Sequence, residues 1–126
     1  MIVALGIDYG EARIGVAIAQ TPLAEPVGII ENNSGAVEAV GQMAKRYQAE
    51  VVVVGISENV MAQKSRGFGQ KLQDLGLKIE FQDETLTSHE AQEKLRHKRL
   101  KFRQQPQDAY QAAVMLQGWL DSRGVN

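Results

Sequence analysis

The chain has 126 residues, of which 44% are hydrophobic and 23% charged, and its formal net charge is −1. That composition excludes disordered and fibrous classes and leaves length for one ordinary core, so residues 1–126 are expected to form a single domain. There is no cysteine, which rules out disulfides, thiolate nucleophiles and zinc–thiolate centres together, and leaves oxygen or imidazole as the only metal ligands.

Met1 to Asp8 reads as a first strand, followed after the short turn Tyr9-Gly10-Glu11-Ala12 by a second from Arg13 to Ala19. A third, Val27 to Glu31, follows the loop from Pro22 to Pro26. Links this short predict antiparallel neighbours. Ser34 is placed to cap a helix reaching about Gln48, in which Val37, Val40, Ala44 and Tyr47 recur at helical spacing. The β-branched run Val51-Val52-Val53-Val54 then has the pattern of a strand buried on both faces of a parallel sheet. Phe68, Leu72 and Leu75 suggest a second helix stopped by Gly76, and Lys78 to Gln82 a fifth strand. Thr87 and Glu90 form a T-x-x-E capping box for a third helix. Pro106 opens a fourth, with an amphipathic stripe of Ala109, Ala112, Ala113, Leu116 and Leu120.

These elements predict an α/β domain with a five-stranded mixed sheet: an antiparallel meander, two parallel strands added through crossover helices, and about four covering helices. The first strand is expected to lie centrally. Asp8, Ser57 and the Asp83-Glu84 pair then fall at the carboxyl ends of parallel strands, the edge where open α/β sheets bind ligands. No apolar run approaches the roughly 18 residues of a membrane span, and the apolar start lacks the flanks of a signal peptide, so a cytoplasmic location is expected.

Asp8 ends an apolar strand, where a carboxylate must meet a metal, a cation or water. Asp at a strand end is also a common turn initiator, and Asp83-Glu84 could be a polar loop before a capped helix. Asp108 lies in the first turn of the last helix, where it complements the helix dipole, yet it heads the apolar stripe through Ala112 and so faces the sheet. Three carboxylates converging from separate elements repel one another unless a cation neutralises them, and hard oxygen donors suit Mg²⁺ or Mn²⁺. Two such ions are what phosphoryl-transfer chemistry uses.

Six of the 14 Lys and Arg residues lie between Lys94 and Arg103. This stretch is either a solvated helix end or a basic patch for phosphates, with Lys98, Arg99 and Lys101 at its centre. His89 and His97 are too far apart for a paired ligand motif and read as surface residues. Trp119, beside Leu116 and Leu120, reads as a core residue, and Tyr9 as a half-buried turn tyrosine.

Four segments in order resemble the motifs of the YqgF/RuvX family: VALGIDYGEARIGVAIA, VVVVGI with Asn59, QDETLTS, and QDAYQAAVMLQGWL. The resemblance spans nearly the whole chain. It implies an RNase H-like fold, the catalytic and metal-binding acids Asp8, Glu84 and Asp108, and substrate contacts from Arg13, Asn59 and Thr87. It also implies nuclease activity on structured nucleic acid, described for the family as trimming the 5′ end of precursor 16S rRNA in ribosome biogenesis and as Holliday-junction resolution on DNA. Thr85 stands where the family usually has Arg, Gln20 where it has Asp, and the loop after Asn59 is shorter and lacks the usual glycine. Two other readings are compatible with these residues. One is a non-catalytic nucleic-acid-binding protein on the same scaffold; the other is an actin-like nucleotide-binding domain, which would need a second domain to enclose its ligand. Monomer and homodimer are both compatible with the sequence.

Overall fold

The computed structural model describes residues 2–56, 60–83, 89–96 and 107–123. Strands β1 (Ala4–Tyr9), β2 (Arg13–Ala19) and β3 (Glu25–Glu31) form the meander, and β4 (Val51–Ile56) and β5 (Ile79–Asp83) extend it. The order is β3-β2-β1-β4-β5, with β1 central as expected. Both β1–β4 and β4–β5 are parallel. The helices among the described residues are α1 (Ala36–Tyr47), α2 (Val60–Asp74), α3 (His89–Lys94) and α4 (Gln107–Ser122).

Side-chain alternation along the strands divides the core into two unlike layers. Leu5, Ile7, Ile14, Val16, Ile18, Val52 and Val54 project to one face and pack under α1 and α2. The other face is built from small residues, Ala4, Ala17 and Ala19 with Val51 and Val53, and carries α4. Gly6 lies on that face too: a Cβ there would come 3.0 Å from Leu116 Cβ and 3.3 Å from the Ala112 carbonyl. The shaved surface lets α4 lie nearly in van der Waals contact with the sheet backbone.

This close seating changes the reading of α4. Every residue from Ala112 to Leu120 is buried, so the helix is enclosed on nearly all sides over those two turns instead of presenting one apolar stripe. It touches all five strands on one side and α3 on another. Its buried polar residue, Gln117, is fully used: Oε1 accepts from Ala24 N at 2.8 Å, and Nε2 donates to Pro22 O at 3.0 Å and to Asp121 Oδ1 at 3.1 Å. The Pro22-to-Ala24 loop is thereby tied to the helix.

Several local expectations shift. Ser34 is not the cap of α1; Gly35 takes that place, with no side-chain cap bond, because Asn33 Oδ1 accepts the Gly35 N–H at 2.8 Å and closes the turn instead. β3 begins two residues earlier than expected and includes Pro26, tolerated because β3 is an edge strand and the register shifts at Val16/Ala17 opposite. Leu75 lies beyond the end of α2 and is 48% exposed, while Gly76, at φ +92°, stops the helix as expected. Thr87 of the capping box and Pro106 lie outside the described residues. No described helix is long and apolar enough to cross a membrane.

Candidate active site

The site is assembled at the carboxyl end of β1. Asp8 is the penultimate residue of that strand, and by alternation from Ala4 and Gly6 it belongs to the face that carries α4. Its neighbours in register are Gly15 on β2 and Gly55 on β4, neither of which carries a side chain. The Gly15 position is filled by backbone: a Cβ there would overlap the Asp108 carbonyl and lie 3.0 Å from Ala109 N. The first turn of α4 therefore rests on the residue directly opposite Asp8, which brings Asp108 to Asp8 across 100 positions of sequence. The signal for this was a glycine inside a β-strand, the usual mark of a close backbone approach.

Asp108 is 34% exposed, and its Oδ2 lies 3.2 Å from Nε of Arg13, itself 61% exposed. Arg13 starts β2, and its backbone is set by a tight, cross-tied turn. Any Cβ at Gly10 would overlap the Arg13 carbonyl, Asn32 Nδ2 donates to Gly10 O at 2.8 Å, and Asn32 N donates to Ala12 O at 3.0 Å. On the outer side of the turn Lys64 Nζ donates to Glu11 Oε1 at 2.8 Å. That bond, with the attraction between the two opposite charges, holds the Glu11 carboxyl below its ordinary pKa and raises the Lys64 ammonium above its own. The Tyr9 ring tilts against Phe68 with centroids 4.9 Å apart, packing the strand end onto α2. Asn32 and Lys64 brace the site, and sequence reasoning passed over both, since nothing local links either to the turn.

Asp8, Arg13 and Asp108 are thus gathered at one edge. Asp83 closes β5 at the same end of the sheet, paired in register with Ile56. By alternation, though, it falls on the α2 face, opposite to Glu80 and Gln82. Glu84, Asn59, Thr87, Lys98, Arg99 and Lys101 lie outside the described residues. Among the described residues no group of three or more His, Asp or Glu side chains gathers as a metal-holding cluster.

The basic stretch is partly accounted for. Lys94 Nζ is bonded to Asp121 Oδ1 at 2.8 Å and lies 3.6 Å from Glu90 Oε1; the Asp121 bond is the main cause that raises its pKa. Arg96 lies 3.9 Å from Glu93. These two cations are balanced by Glu90 and Glu93 on α3 and by Asp121 on α4, against which α3 packs. His89 is exposed, 3.8 Å from Glu93, as expected of a surface histidine. Trp119 is buried, with Nε1 donating to Glu80 Oε1 at 3.1 Å and the Arg123 guanidinium 4.6 Å from its ring.

The overall arrangement has close counterparts. A solved structure of T. thermophilus RuvC in complex with a Holliday junction substrate superposes with a TM-score of 0.67 at 16% identity, covering 100% of this chain and 98% of that one. This likeness establishes the RNase H-like fold. A protein of Anaeromyxobacter sp. (strain K) named "Putative pre-16S rRNA nuclease" is 37% identical, over 94% of this chain and 96% of its own length. One of the same name from Coxiella burnetii (strain CbuK_Q154) is 35% identical, over 97% and 94%. Residues 2–122 match the family described as RuvX: Holliday junction resolvase, and the chain belongs to that family.

Proposed function

We propose that residues 1–126 act as one divalent-metal-dependent nuclease domain that hydrolyses phosphodiester bonds in structured nucleic acid, with the 5′ end of precursor 16S rRNA as substrate. The observation that carries this reading is the seating of Asp108 on Gly15, directly opposite Asp8. A fold that gives up a side chain to seat Asp108 opposite Asp8 gathers acidic groups at one edge of the sheet, an arrangement that favours cations there. The donor chemistry fits Mg²⁺ or Mn²⁺: carboxylate oxygens, no sulfur in a cysteine-free chain, and at Asp108 an accessible side chain. When bound, such ions supply Lewis acidity, making the attacking water more acidic and neutralising charge on the leaving oxygen.

Asp8, Asp108 and Glu84, the residue that follows β5 in the chain, are the acids assigned to this role. Arg13 is assigned to donate to a phosphate oxygen beside Asp108. Asn59 and Thr87 are assigned to substrate contact, and Lys98, Arg99 and Lys101 to the phosphate backbone away from the scissile bond, with cytoplasmic RNA as the setting. The relatives' name favours RNA. The family description and the RuvC-like fold favour a four-way DNA junction as the second reading.

The test is cleavage of labelled precursor 16S 5′-end RNA, duplex RNA and a four-way DNA junction with Mn²⁺ or Mg²⁺. Asp8→Asn should lower the rate by at least about 10³-fold, because an amide cannot offset the ions' charge, while its circular dichroism stays that of wild type. Wild-type turnover by Asp8→Asn refutes the assignment of Asp8. Turnover of the junction alone moves the substrate to DNA, and salt-dependent binding with no cleavage of any substrate leaves a binding protein.

A further inference from the structure

The Arg13–Asp108 pair joins a residue assigned to substrate to one assigned to metal, and those two roles compete. Arg13 Nε is 3.2 Å from Asp108 Oδ2, so it occupies a carboxylate that a divalent ion would compete for. Glu11, the acid of the turn before Arg13, is already held by Lys64 at 2.8 Å. The Arg13 backbone is fixed by β2 and by the Asn32 bonds to the turn, but its side chain is 61% exposed and can leave Asp108 without disturbing the core.

We propose that Arg13 is a stand-in cation: it neutralises Asp108 while no divalent ion is bound, and passes to a phosphate of the nucleic acid once an ion takes Asp108 over. This rests on the nuclease reading and adds to it a coupling between ion and substrate. Exposed ion pairs of this kind are weak, which suits a contact that must be exchanged. A guanidinium presents five donors in a planar fork, so on release it can take two phosphate oxygens at once, a bond stronger than the one it gives up. Ion binding frees Arg13 for nucleic acid, and nucleic acid holds Arg13 away from Asp108. The two ligands must therefore strengthen one another to the same degree.

The experiment is titration calorimetry of Mn²⁺ into wild type, Arg13→Gln, Arg13→Lys and Asp8→Asn, without nucleic acid. Arg13→Gln should bind Mn²⁺ tighter than wild type, on the order of threefold to tenfold, because a positive charge and a competing donor leave the site together. Arg13→Lys, which keeps the charge and loses the planar fork, should fall between them. In a second arm, the affinity for an RNA duplex is measured by fluorescence anisotropy with EDTA and with Ca²⁺. Ca²⁺ should improve binding by wild type at least about threefold more than binding by Arg13→Gln. A purely structural Arg13 would give equal or weaker Mn²⁺ binding in Arg13→Gln, and that outcome overturns the proposal. A Mn²⁺ site abolished by Asp8→Asn yet indifferent to Arg13 refutes this coupling alone. Absence of any Asp8-dependent Mn²⁺ site refutes the metal-dependent nuclease reading and the coupling with it.

Discussion

Gly15→Ala is the sharpest test of how the site is assembled. Its added Cβ would overlap the Asp108 carbonyl, and both the strand and the first turn of α4 are backbone, so no flexible side-chain end can yield. Restoring van der Waals separation requires the helix start to retreat by about 1 Å. Overpacking of that kind costs about 1 to 3 kcal/mol. For a chain of this length it lowers the melting temperature by about 3 to 15 °C. The same retreat takes Asp108 away from Asp8, and a displacement of about 1 Å at a catalytic group costs about 10²-fold in rate. Gly67→Ala is the control: it lies inside α2, a Cβ there meets nothing within 4 Å, and alanine should raise stability by about 0.5 to 1 kcal/mol with no change in rate. Differential scanning calorimetry and single-turnover cleavage read both effects. A Gly15→Ala protein that melts with wild type and cleaves at its rate would show that α4 does not rest on β2 at this point, and the pairing of Asp8 with Asp108 would lose its basis.

Gln117→Leu should destabilise by about 2 to 4 kcal/mol, since it leaves the buried Ala24 N–H and the Pro22 carbonyl without their partner; urea denaturation measures this, and an unchanged midpoint would contradict the clamp. Lys94→Met should lower stability at neutral pH by removing the bond to Asp121. Because that bond raises the lysine pKa, its contribution is fully present below the ordinary value of 10.5 and is lost only as pH rises through the higher folded-state value. The gap between wild type and Lys94→Met should thus be constant from about pH 7 to 9 and close only in stronger alkali; a gap that closes already by about pH 9 would contradict the assignment.

Much of this architecture is carried by local pattern. Alternation in Arg13 to Ala19, the valine run at Val51 and the glycine stop at Gly76 each reflect a constraint acting within a few residues: side chains alternate along a strand, β-branched residues favour it, and only glycine readily takes a positive φ. Short links then fix the antiparallel meander, and helical crossovers fix the parallel strands, so the central place of β1 follows from chain order. Asp8 was legible for the same reason, as a charge at the end of an apolar strand.

Tertiary packing alone decided the rest. Nothing within α4 reveals that its polar Gln117 is wholly buried, because the partners, Pro22 and Ala24, come from a loop more than 90 positions away. The basic appearance of Lys94 and Arg96 likewise gave way to pairing with acids, one of which, Asp121, is distant in sequence. Sequence marks Gly15 only as a glycine in a strand; its use as the seat of Asp108 depends on where α4 crosses the sheet. Local pattern specifies elements because its forces act over a few bonds. The site depends on which elements meet, and that is set by the volumes of residues far apart in the chain, here a face of glycine and alanine that lets one helix approach closely enough to bring Asp108 to the strand ends that carry Asp8 and Arg13.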